Sequence, residues 1–415
     1  MPKTVLLVGT LDTKSDEYGF VREILSKRGL NVMIMDVGIL GIPGLKADID
    51  RDHVATAGGA ELSSLSDRRD RGAAVDAMAA GAKLLVRKLF DAGTIDGVMA
   101  LGGTGGTSLA ATAFSELPLG FPKLIVSTAA SGNTEMYIGV SDLVLVPSVV
   151  DIAGLNRIST QVIANAAAAL AGMVKHGGGI GRPLKPAIAA SMFGVTTACV
   201  TAARAHLEAK GYEVVVFHMT GSGGRALESL AAQGVFSGVL DLTTTELADN
   251  LVGGVFSAGP NRLTAAGSQG VPQVISVGAL DMVNFGPWDS VPSQFSARNL
   301  YRHNSSVTLM RTTPDECALL GAELARKARS AVGATTVVLP LKSVSAIDVE
   351  GQPFRDPEAD LALFNAIRTG LNGSSVELIE LDLDINDPRF AETTADILDA
   401  HVRAQTTTNN KRDGL

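Results

Sequence analysis

Two segments of the chain follow the same order of elements. In residues 3–38 and again in residues 185–224, an apolar run precedes a polar loop, an amphipathic helical pattern, a glycine and a second apolar run. The glycines that end the two helical patterns are Gly29 and Gly211. This order predicts two parallel β-strands joined through an α-helix by a right-handed crossover. A chain that begins such a unit twice is expected to form two α/β domains.

The rest of each half continues the alternation of strands and helices. In the first half we predict strands at 95–101, 123–127 and 142–146, and helices at 67–91, after Gly106, and at 155–174. In the second half we predict strands at 236–240, 273–277, 307–310, 336–340 and 376–381, helices at 224–232, 314–331, 356–369 and 391–404, and a long irregular loop over 278–306. The predicted fold class is α/β, with two Rossmann-like doubly wound parallel-sheet domains. A segment rich in glycine and proline at 175–186 sets the boundary, which gives domains of residues 1–180 and 181–415.

Composition and charge narrow the classes of function. The formal net charge is −8, and acidic and basic residues are interspersed, which argues against a broad surface for nucleic acid. The two cysteines, Cys199 and Cys317, both fall in apolar helical patterns, so neither a disulfide framework nor a thiolate zinc site is expected. No apolar run approaches the roughly 20 residues of a membrane-spanning helix, and the N-terminus lacks the pattern of an export signal. We therefore predict a cytoplasmic protein without a membrane partner.

Four loops that follow strands in the first half are rich in glycine, threonine, serine and asparagine. They read GTLDTKS, ALGGTGGTS, STAASGNT and VPSVVDIAGLN, and the carboxyl ends of parallel strands bring them to one edge of the sheet. Glycine allows backbone N–H groups to approach an anion, and a helix N-terminus adds partial positive charge. The alternative is that these loops are only tight turns between buried elements. We expect phosphate binding, because all four loops share this composition.

The residues predicted to bind a nucleotide lie in these four loops. They are Gly9, Thr10, Asp12, Thr13, Lys14, Gly102, Gly103, Thr104, Gly105, Gly106, Thr107, Ser127, Ser131, Gly132, Asn133, Thr134 and Asp151. Lys14 is the cation suited to a phosphate, and Asp12 and Asp151 are the predicted Mg²⁺ ligands. A weaker alternative is a dinucleotide site at GSGGRA, residues 221–226, although this motif follows the second strand of its half rather than the first.

The long loop of the second half and the strand that it leads into carry the predicted catalytic residues. Asp281, Arg298, His303 and Arg311 bring together side chains suited to a small polar or acidic metabolite. His303 is expected to act as a general base, and Arg298 or Arg311 to bind an oxyanion. The alternative is that arginine and aspartate only fix a long surface loop in place.

Long motifs in both halves are similar to one known family. GTLDTKSDEY, ALGGTGGT, STAASGNT and DIAGLNRIS in the first half, and HMTGSGGRALESL and GALDMVNFG in the second, resemble the ATP-binding domain family of the plant resistance protein against tomato mosaic virus. The resemblance runs from Lys3 to about Arg389. It implies two Rossmann-like subdomains, ATP bound in the first, and a homodimer. The family's nucleotide loops correspond here to residues 9–14, 102–107 and 127–134.

Two functional hypotheses from different classes follow. The first is an ATP- and Mg²⁺-dependent enzyme, a kinase or a ligase, that acts on a small polar or acidic metabolite in an interdomain cleft. The alternative is a nucleotide-regulated module that binds a partner protein without turnover. A dinucleotide-dependent oxidoreductase is the weaker third hypothesis, because it depends on GSGGRA alone.

Overall fold

The computed structural model describes residues 2–67, 71–177 and 185–413, with side chains described except at 66, 67, 71 and 408–413. The chain divides into two compact units, unit 1 up to residue 182 and unit 2 from residue 183. The predicted boundary between residues 180 and 181 lies within 178–184, outside the described residues. Within the described parts, no helix is both long and apolar enough to cross a lipid bilayer.

Unit 1 contains a five-stranded parallel sheet with helices on both faces. Its elements are β1 (Thr4–Gly9), α1 (Ser15–Lys27), β2 (Asn31–Asp36), α2 (Arg51–Ala57), α3 (Leu62–Asp67), α4 (Arg71–Asp91), β3 (Gly97–Gly102), α5 (Thr104–Phe114), β4 (Lys123–Ser127), α6 (Glu135–Ile138), β5 (Val144–Pro147) and α7 (Ser159–His176). The strand order is β2-β1-β3-β4-β5, and every pairing is parallel. Alternate residues of the central strands pack on α1 and α7 on one face, and on α2, α4 and α5 on the other. Because helices cover both faces of the sheet, the residues that point to either face are apolar, and each central strand reads as an unbroken apolar run.

Unit 2 repeats this order and extends it. Its elements are β6 (Ala187–Met192), α8 (Thr197–Ala209), β7 (Glu213–His218), α9 (Ser222–Ala232), β8 (Gly238–Thr243), α10 (Glu246–Val252), α11 (Ala265–Ser268), β9 (Gln273–Gly278), β10 (Met282–Phe285), β11 (Leu300–Arg302), β12 (Thr308–Arg311), α12 (Pro314–Arg329), β13 (Thr335–Pro340), α13 (Pro357–Leu371), β14 (Glu377–Leu381) and α14 (Pro388–Asp413). The main sheet has the order β14-β13-β9-β8-β6-β7, and its pairings are parallel. The prediction of two doubly wound parallel sheets is confirmed.

The prediction of an irregular loop over 278–306 was wrong in part. This segment contains β10 and β11, which pair with β12 in a separate antiparallel sheet of three strands. Buried side chains of this sheet, among them Val283, Phe285 and Met310, belong to the core formed with α12 and α13. The segment is therefore ordered and not irregular, because both of its short strands pair with β12, the strand that follows them.

Candidate functional site

The strand order of unit 1 creates a crevice at the carboxyl edge of its sheet. From the adjacent strands β1 and β3, the chain continues to α1 on one face and to α5 on the other. In open parallel sheets, ligands bind where neighbouring connections diverge in this way. The loops at this point are residues 9–14 and 102–107, which are two of the predicted nucleotide loops. The fold therefore brings these two loops to one place.

The first turn of α5 is open at this crevice. Gly103 precedes the helix and no side-chain hydrogen bond caps it, while Thr104 is exposed. Backbone N–H groups in the first turn of an α-helix have no intrahelical acceptor, and within the described residues no side chain accepts from Thr104, Gly105 or Gly106. This terminus of an 11-residue helix is therefore available to an anion.

Packing explains some of the glycines here and not others. A Cβ atom at Gly102 would lie 3.0 Å from the Cα atom of Gly106, so the close strand-to-helix turn requires glycine. A Cβ atom at Gly105 would meet no heavy atom within 4 Å. The absence of a side chain at Gly105 leaves the helix terminus uncovered, although the fold has room for one.

Two predicted ligand hydroxyls take part in internal hydrogen bonds instead. The Thr107 hydroxyl is hydrogen-bonded to the Gly103 carbonyl at 2.8 Å and to the Ser127 hydroxyl at 2.6 Å. The Ser127 Oγ also accepts from the Ala129 N–H at 2.9 Å. Both side chains are buried. Thr107 and Ser127 therefore hold the β3–α5 and β4 loops together, and their hydroxyls are engaged within unit 1.

Gly9 also has a structural reason to be glycine. A Cβ atom at Gly9 would lie 1.9 Å from the Cζ atom of Tyr18, whose ring packs over this position. The Tyr18 hydroxyl donates to the Val8 carbonyl at 2.6 Å and accepts from the Leu101 N–H at 2.8 Å. Burial raises the pKa of this phenol well above its usual value, so the phenol stays protonated. Tyr18 was not among the predicted site residues, because an aromatic residue in an amphipathic helix is ordinarily only a core residue.

The charged residues of these loops have distinct surroundings. Lys14 Nζ donates to the carbonyl oxygen of Ile152, and within the described residues it forms no ion pair. Asp12 Oδ2 accepts from the Leu40 N–H at 2.8 Å, whereas its Oδ1 is buried without a hydrogen-bond partner. Asp151 is exposed, and its Oδ1 accepts from the N–H of its neighbour Ile152 at 2.8 Å. No three histidine, cysteine, aspartate or glutamate side chains in the described parts are placed to hold a metal ion.

The other predicted nucleotide residues lie in short polar turns. Thr10 and Thr13 are hydrogen-bonded through their hydroxyls at 3.0 Å. The Asn133 Oδ1 accepts from the Glu135 N–H at 3.1 Å, at the start of the single-turn helix α6. The remaining predicted residues are Ser131 and Gly132, both exposed, and Thr134, which directly precedes α6. These groups contribute an open polar edge and no buried pocket.

The loop after β5 contains a strained residue at the same edge. Val149 has a φ angle of 67°, and the Val150 N–H donates to the Ser148 carbonyl at 2.7 Å, which closes a γ-turn around it. A positive φ is a genuine outlier for a β-branched residue. Strain of this kind persists at positions that the surrounding structure over-determines, often at functional sites.

We expect Val149→Gly to raise the free energy of unfolding by about 1 kcal/mol. Relief of roughly 1–3 kcal/mol of backbone strain outweighs the roughly 0.5–1 kcal/mol of extra chain entropy that glycine brings. Thermal unfolding of both proteins measures the effect. The matched control is Val144→Gly in β5, where the backbone is extended and glycine should lower the midpoint. A lowered midpoint at both positions would show that Val149 is not strained.

In unit 2, a carboxylate occupies the N-terminus of α9, the helix that follows the second strand of this unit. The GSGGRA motif begins α9, and Glu246 Oε1 accepts from the N–H groups of Gly221 at 2.6 Å and Gly224 at 3.1 Å. A Cβ atom at Gly224 would lie 1.9 Å from Glu246 Oε2. These glycines make room for an internal carboxylate where a dinucleotide would place its pyrophosphate. The motif therefore lends no support to a dinucleotide site.

Several other helices of both units begin with side-chain caps. Asn156 Oδ1 accepts from the Ser159 N–H at 2.9 Å at the start of α7, and Asn386 Oδ1 accepts from the Cys199 N–H at 3.2 Å in α8. Thr313 caps α12 in the same way. These caps satisfy N–H groups that the helix leaves without acceptors. The first turn of α5 lacks such a cap, as does that of α1.

The four predicted catalytic residues do not meet in an open site. Asp281 and Arg311 are buried, at 1% and 4% exposure. Arg298 forms a two-pronged ion pair with Glu316, at 3.0 and 2.7 Å. His303 is exposed, and its backbone N–H donates to the Val307 carbonyl at 3.1 Å within the β11–β12 turn. This geometry fits the alternative that arginine and aspartate fix the segment in place, and a catalytic role for these residues stays a prediction.

Asp281 and Arg311 belong to a buried cluster of charges. Arg311 Nη2 bonds to Asp360 Oδ1 at 2.7 Å and lies 3.7 Å from Asp348 Oδ1. Asp281 Oδ2 accepts from the Ser345 hydroxyl at 2.7 Å. The Oδ1 atoms of Asp281 and Asp348 are buried without hydrogen-bond partners. Burial raises the pKa of all three aspartates, and repulsion from neighbouring carboxylates raises the pKa of Asp281 and Asp348 further.

Comparison with known proteins places the chain in a family. A model of the "Uncharacterised protein family (UPF0261) N-terminal domain" matches residues 3–178, and a model of the C-terminal domain of that family matches residues 185–402. A UPF0261 protein of Clostridium tetani is 48% identical over 94% of this chain and 97% of its own length. The ToMV resistance protein Tm-1 of Solanum lycopersicum is 42% identical over 94% of this chain, which spans 55% of the tomato protein.

A solved structure gives a weaker likeness. The UDP-N-acetylglucosamine 2-epimerase of Rickettsia bellii has 10% identity and a TM-score of 0.25, over 66% of this chain and 79% of its own. This similarity carries no functional argument. The family descriptions name no activity, so ATP binding stays a prediction. With both halves matched and close relatives covered almost from end to end, the chain belongs to the uncharacterised protein family UPF0261.

Proposed function

We propose that unit 1 binds ATP through its phosphate groups, in the crevice between β1 and β3. The observation that carries this proposal is the open first turn of α5, where Gly105 lacks a side chain that the fold has room for. Backbone N–H groups and the positive end of the helix dipole together favour a phosphate at such a terminus. Side chains accept from first-turn N–H groups at the starts of α7, α8 and α12, and the Glu246 carboxylate does so at α9. The first turn of α5, like that of α1 at the same crevice, has no side-chain cap.

Lys14 supports the same proposal. It follows β1 at the crevice, and its ammonium group bonds to a neutral carbonyl rather than to a carboxylate. Its positive charge is therefore not compensated by an ion pair within the described residues. A lysine in this state binds a phosphate as a point charge.

Magnesium would be held by Asp12 together with the phosphates. In nucleotide sites Mg²⁺ takes only one or two carboxylates, and it neutralises negative charge on the β- and γ-phosphates. The buried Oδ1 of Asp12 lacks a hydrogen-bond partner, which fits this role. Asp151 is less suited, because it is exposed and bonds to the N–H of its own neighbour.

Gly105→Val is expected to weaken ATP binding at least about tenfold, which corresponds to roughly 1.4 kcal/mol. The valine covers the N–H groups of the first turn, and its Cβ atom has free space in the fold. Isothermal titration with ATP and Mg²⁺ measures the change. The control is Gly172→Val in α7, a helical glycine where an added Cβ atom would also meet no heavy atom within 4 Å. If ATP bound to the Gly105 variant as to the wild type, the α5 terminus would not be the phosphate site.

A second candidate function is a nucleotide-regulated binding module without turnover. The observation that favours it is the internal pairing of Asp281, Arg298 and Arg311, which leaves these side chains engaged within unit 2. Chromatographic detection of ADP or AMP, with ATP and a library of organic acids, separates the two candidates. Product that depends on an acid identifies a kinase or a ligase, and tight binding without product identifies the module.

A further inference from the structure

Two apolar side chains of unit 1 project into solvent beside the crevice. Leu40 is 60% exposed and Ile42 is 90% exposed, and both lie in the connection between β2 and α2. We call these two residues the apolar rim. The surrounding segment, residues 37–45, reads VGILGIPGL and contains no charged residue. It is therefore unsuited to a phosphate and suited to an uncharged, apolar group.

The segment that carries the apolar rim, residues 37–45, is hydrogen-bonded to the end of β1 and the β1–α1 loop at several points. The Val37 N–H donates to the Gly9 carbonyl at 2.9 Å, and the Gly44 N–H donates to the Leu11 carbonyl at 3.0 Å. Between them, the Leu40 N–H donates to Asp12 Oδ2 at 2.8 Å. The segment that carries the rim is thus bonded to the loop that ends at Lys14.

Glycines allow this close approach. A Cβ atom at Gly38 would lie 2.8 Å from the Asp12 Cγ atom, and one at Gly44 would lie 2.9 Å from the Ser15 Oγ atom. On the outer side, Arg51 Nη1 donates to the Leu40 carbonyl at 2.6 Å. Hydrogen bonds and close packing therefore fix the backbone of a segment that nevertheless leaves two aliphatic side chains in water.

We propose that the apolar rim contacts the purine base of the nucleotide, an inference that rests on the proposed binding of ATP phosphates at α5. Small-molecule sites combine apolar side chains with a few polar groups that fix orientation. Asp12 links the apolar rim to the proposed phosphate site. Its Oδ2 accepts from the Leu40 N–H, and its Oδ1, the proposed Mg²⁺ ligand, is buried without a hydrogen-bond partner. A base covers an area that two aliphatic side chains can supply, whereas stable protein interfaces need about 800 Å² from each partner.

The test compares ATP with inorganic tripolyphosphate, which carries a comparable charge without a base. Isothermal titration in the presence of Mg²⁺ is made with the full chain and with the Leu40→Gln/Ile42→Gln double variant. We expect the wild type to bind ATP at least about tenfold more tightly than tripolyphosphate, and the double variant to lose most of that preference. Its affinity for tripolyphosphate should stay unchanged. Leu84→Gln on α4 is the control, because Leu84 is also 60% exposed.

Each other outcome overturns a defined part of the argument. If both ligands bind and the double variant keeps the wild-type preference for ATP, the rim does not contact the base, and the phosphate site stands. If neither ligand binds to the wild type, the proposed function fails, and the inference fails with it. If the double variant changes only the sedimentation of the protein and not its ATP affinity, the rim is a contact between copies of the chain.

Discussion

Replacing Arg262 with alanine is expected to lower the free energy of unfolding by about 3–5 kcal/mol, the usual cost of removing one partner from a buried ion pair. Arg262 is fully buried in unit 2. Its guanidinium bonds to Asp241 at 2.5 and 2.6 Å and to Glu246 at 2.7 Å, and lies 3.2 Å from Glu228. Alanine would leave these carboxylates without the cation that compensates them, and it would leave a cavity as well.

Chemical denaturation of both proteins measures this effect. Arg262→Lys keeps the positive charge but not the forked geometry, so its midpoint should fall between those of the wild type and Arg262→Ala. The lysine variant also provides the measurement if the alanine variant does not fold. Lys27→Ala is the control, because Lys27 forms an exposed ion pair with Glu23 and its loss should leave the midpoint unchanged. An unchanged midpoint for Arg262→Ala would mean that the carboxylates do not need the cation.

A second large effect is expected from the buried aspartates around Arg311. Asp348 and Asp360 share two guanidiniums, those of Arg311 and Arg355, and the charge of Arg311 also acts on the nearby Asp281. Burial, and then the charge of Asp281, raises the pKa of Asp348 well above its usual range. Asp249, which is bonded to Asn284, has its pKa raised to about 7 by burial. The folded protein therefore holds protons that the unfolded chain releases.

The sign of the pH dependence follows from this difference. An aspartate in the unfolded chain loses its proton near pH 4, whereas these groups keep it in the folded state until a higher pH. Their contribution to stability is fully present below about pH 4 and is lost as the pH rises through the folded pKa. Each proton that the folded protein holds and the unfolded chain has released lowers the free energy of unfolding by about 1.4 kcal/mol per pH unit.

Asp348→Asn should remove one group that holds a proton in the folded protein and releases it in the unfolded chain. Asparagine resembles the protonated aspartate, so the variant should become more stable relative to the wild type as the pH rises from 5 to 8. Denaturation midpoints at each pH unit measure the slope. Asp382→Asn, at a side chain that is 83% exposed, should follow the wild-type curve. Parallel curves for Asp348→Asn and the wild type would show that Asp348 is ionised throughout this range.

Much of the fold could be predicted because it depends on local patterns. Strand β4 was predicted at 123–127 and is found at Lys123–Ser127, since an apolar run with both faces covered is visible in the sequence. The segment 278–306 was predicted poorly for a physical reason. Strands β10 and β11 have only four and three residues, and both pair with a strand further along the chain. Glycine and proline directly follow β10. Periodicity over so few residues carries little information.

The site shows a different limit. The sequence placed the loops containing Lys14 and Gly105 at one sheet edge, because strand order and direction follow from the alternation of elements. It did not distinguish a glycine required by packing, such as Gly9 beneath Tyr18, from one that packing leaves free. Nor did it show that Glu246 fills the start of α9, because that contact joins residues more than twenty positions apart. Such distinctions depend on tertiary contacts.

The Tyr18 hydroxyl has a consequence for how the crevice meets a ligand. The register of β1 with β3 ends at Val8 and Ala100, and beyond it the phenol oxygen connects the Val8 carbonyl with the Leu101 N–H. The separation of the two strand ends is then set by a rigid aromatic ring and not by mobile loops. A gap that is held at fixed width before binding loses little conformational entropy when a ligand enters. Unit 1 is therefore preorganised at this crevice, and the nucleotide that we propose would not have to open it.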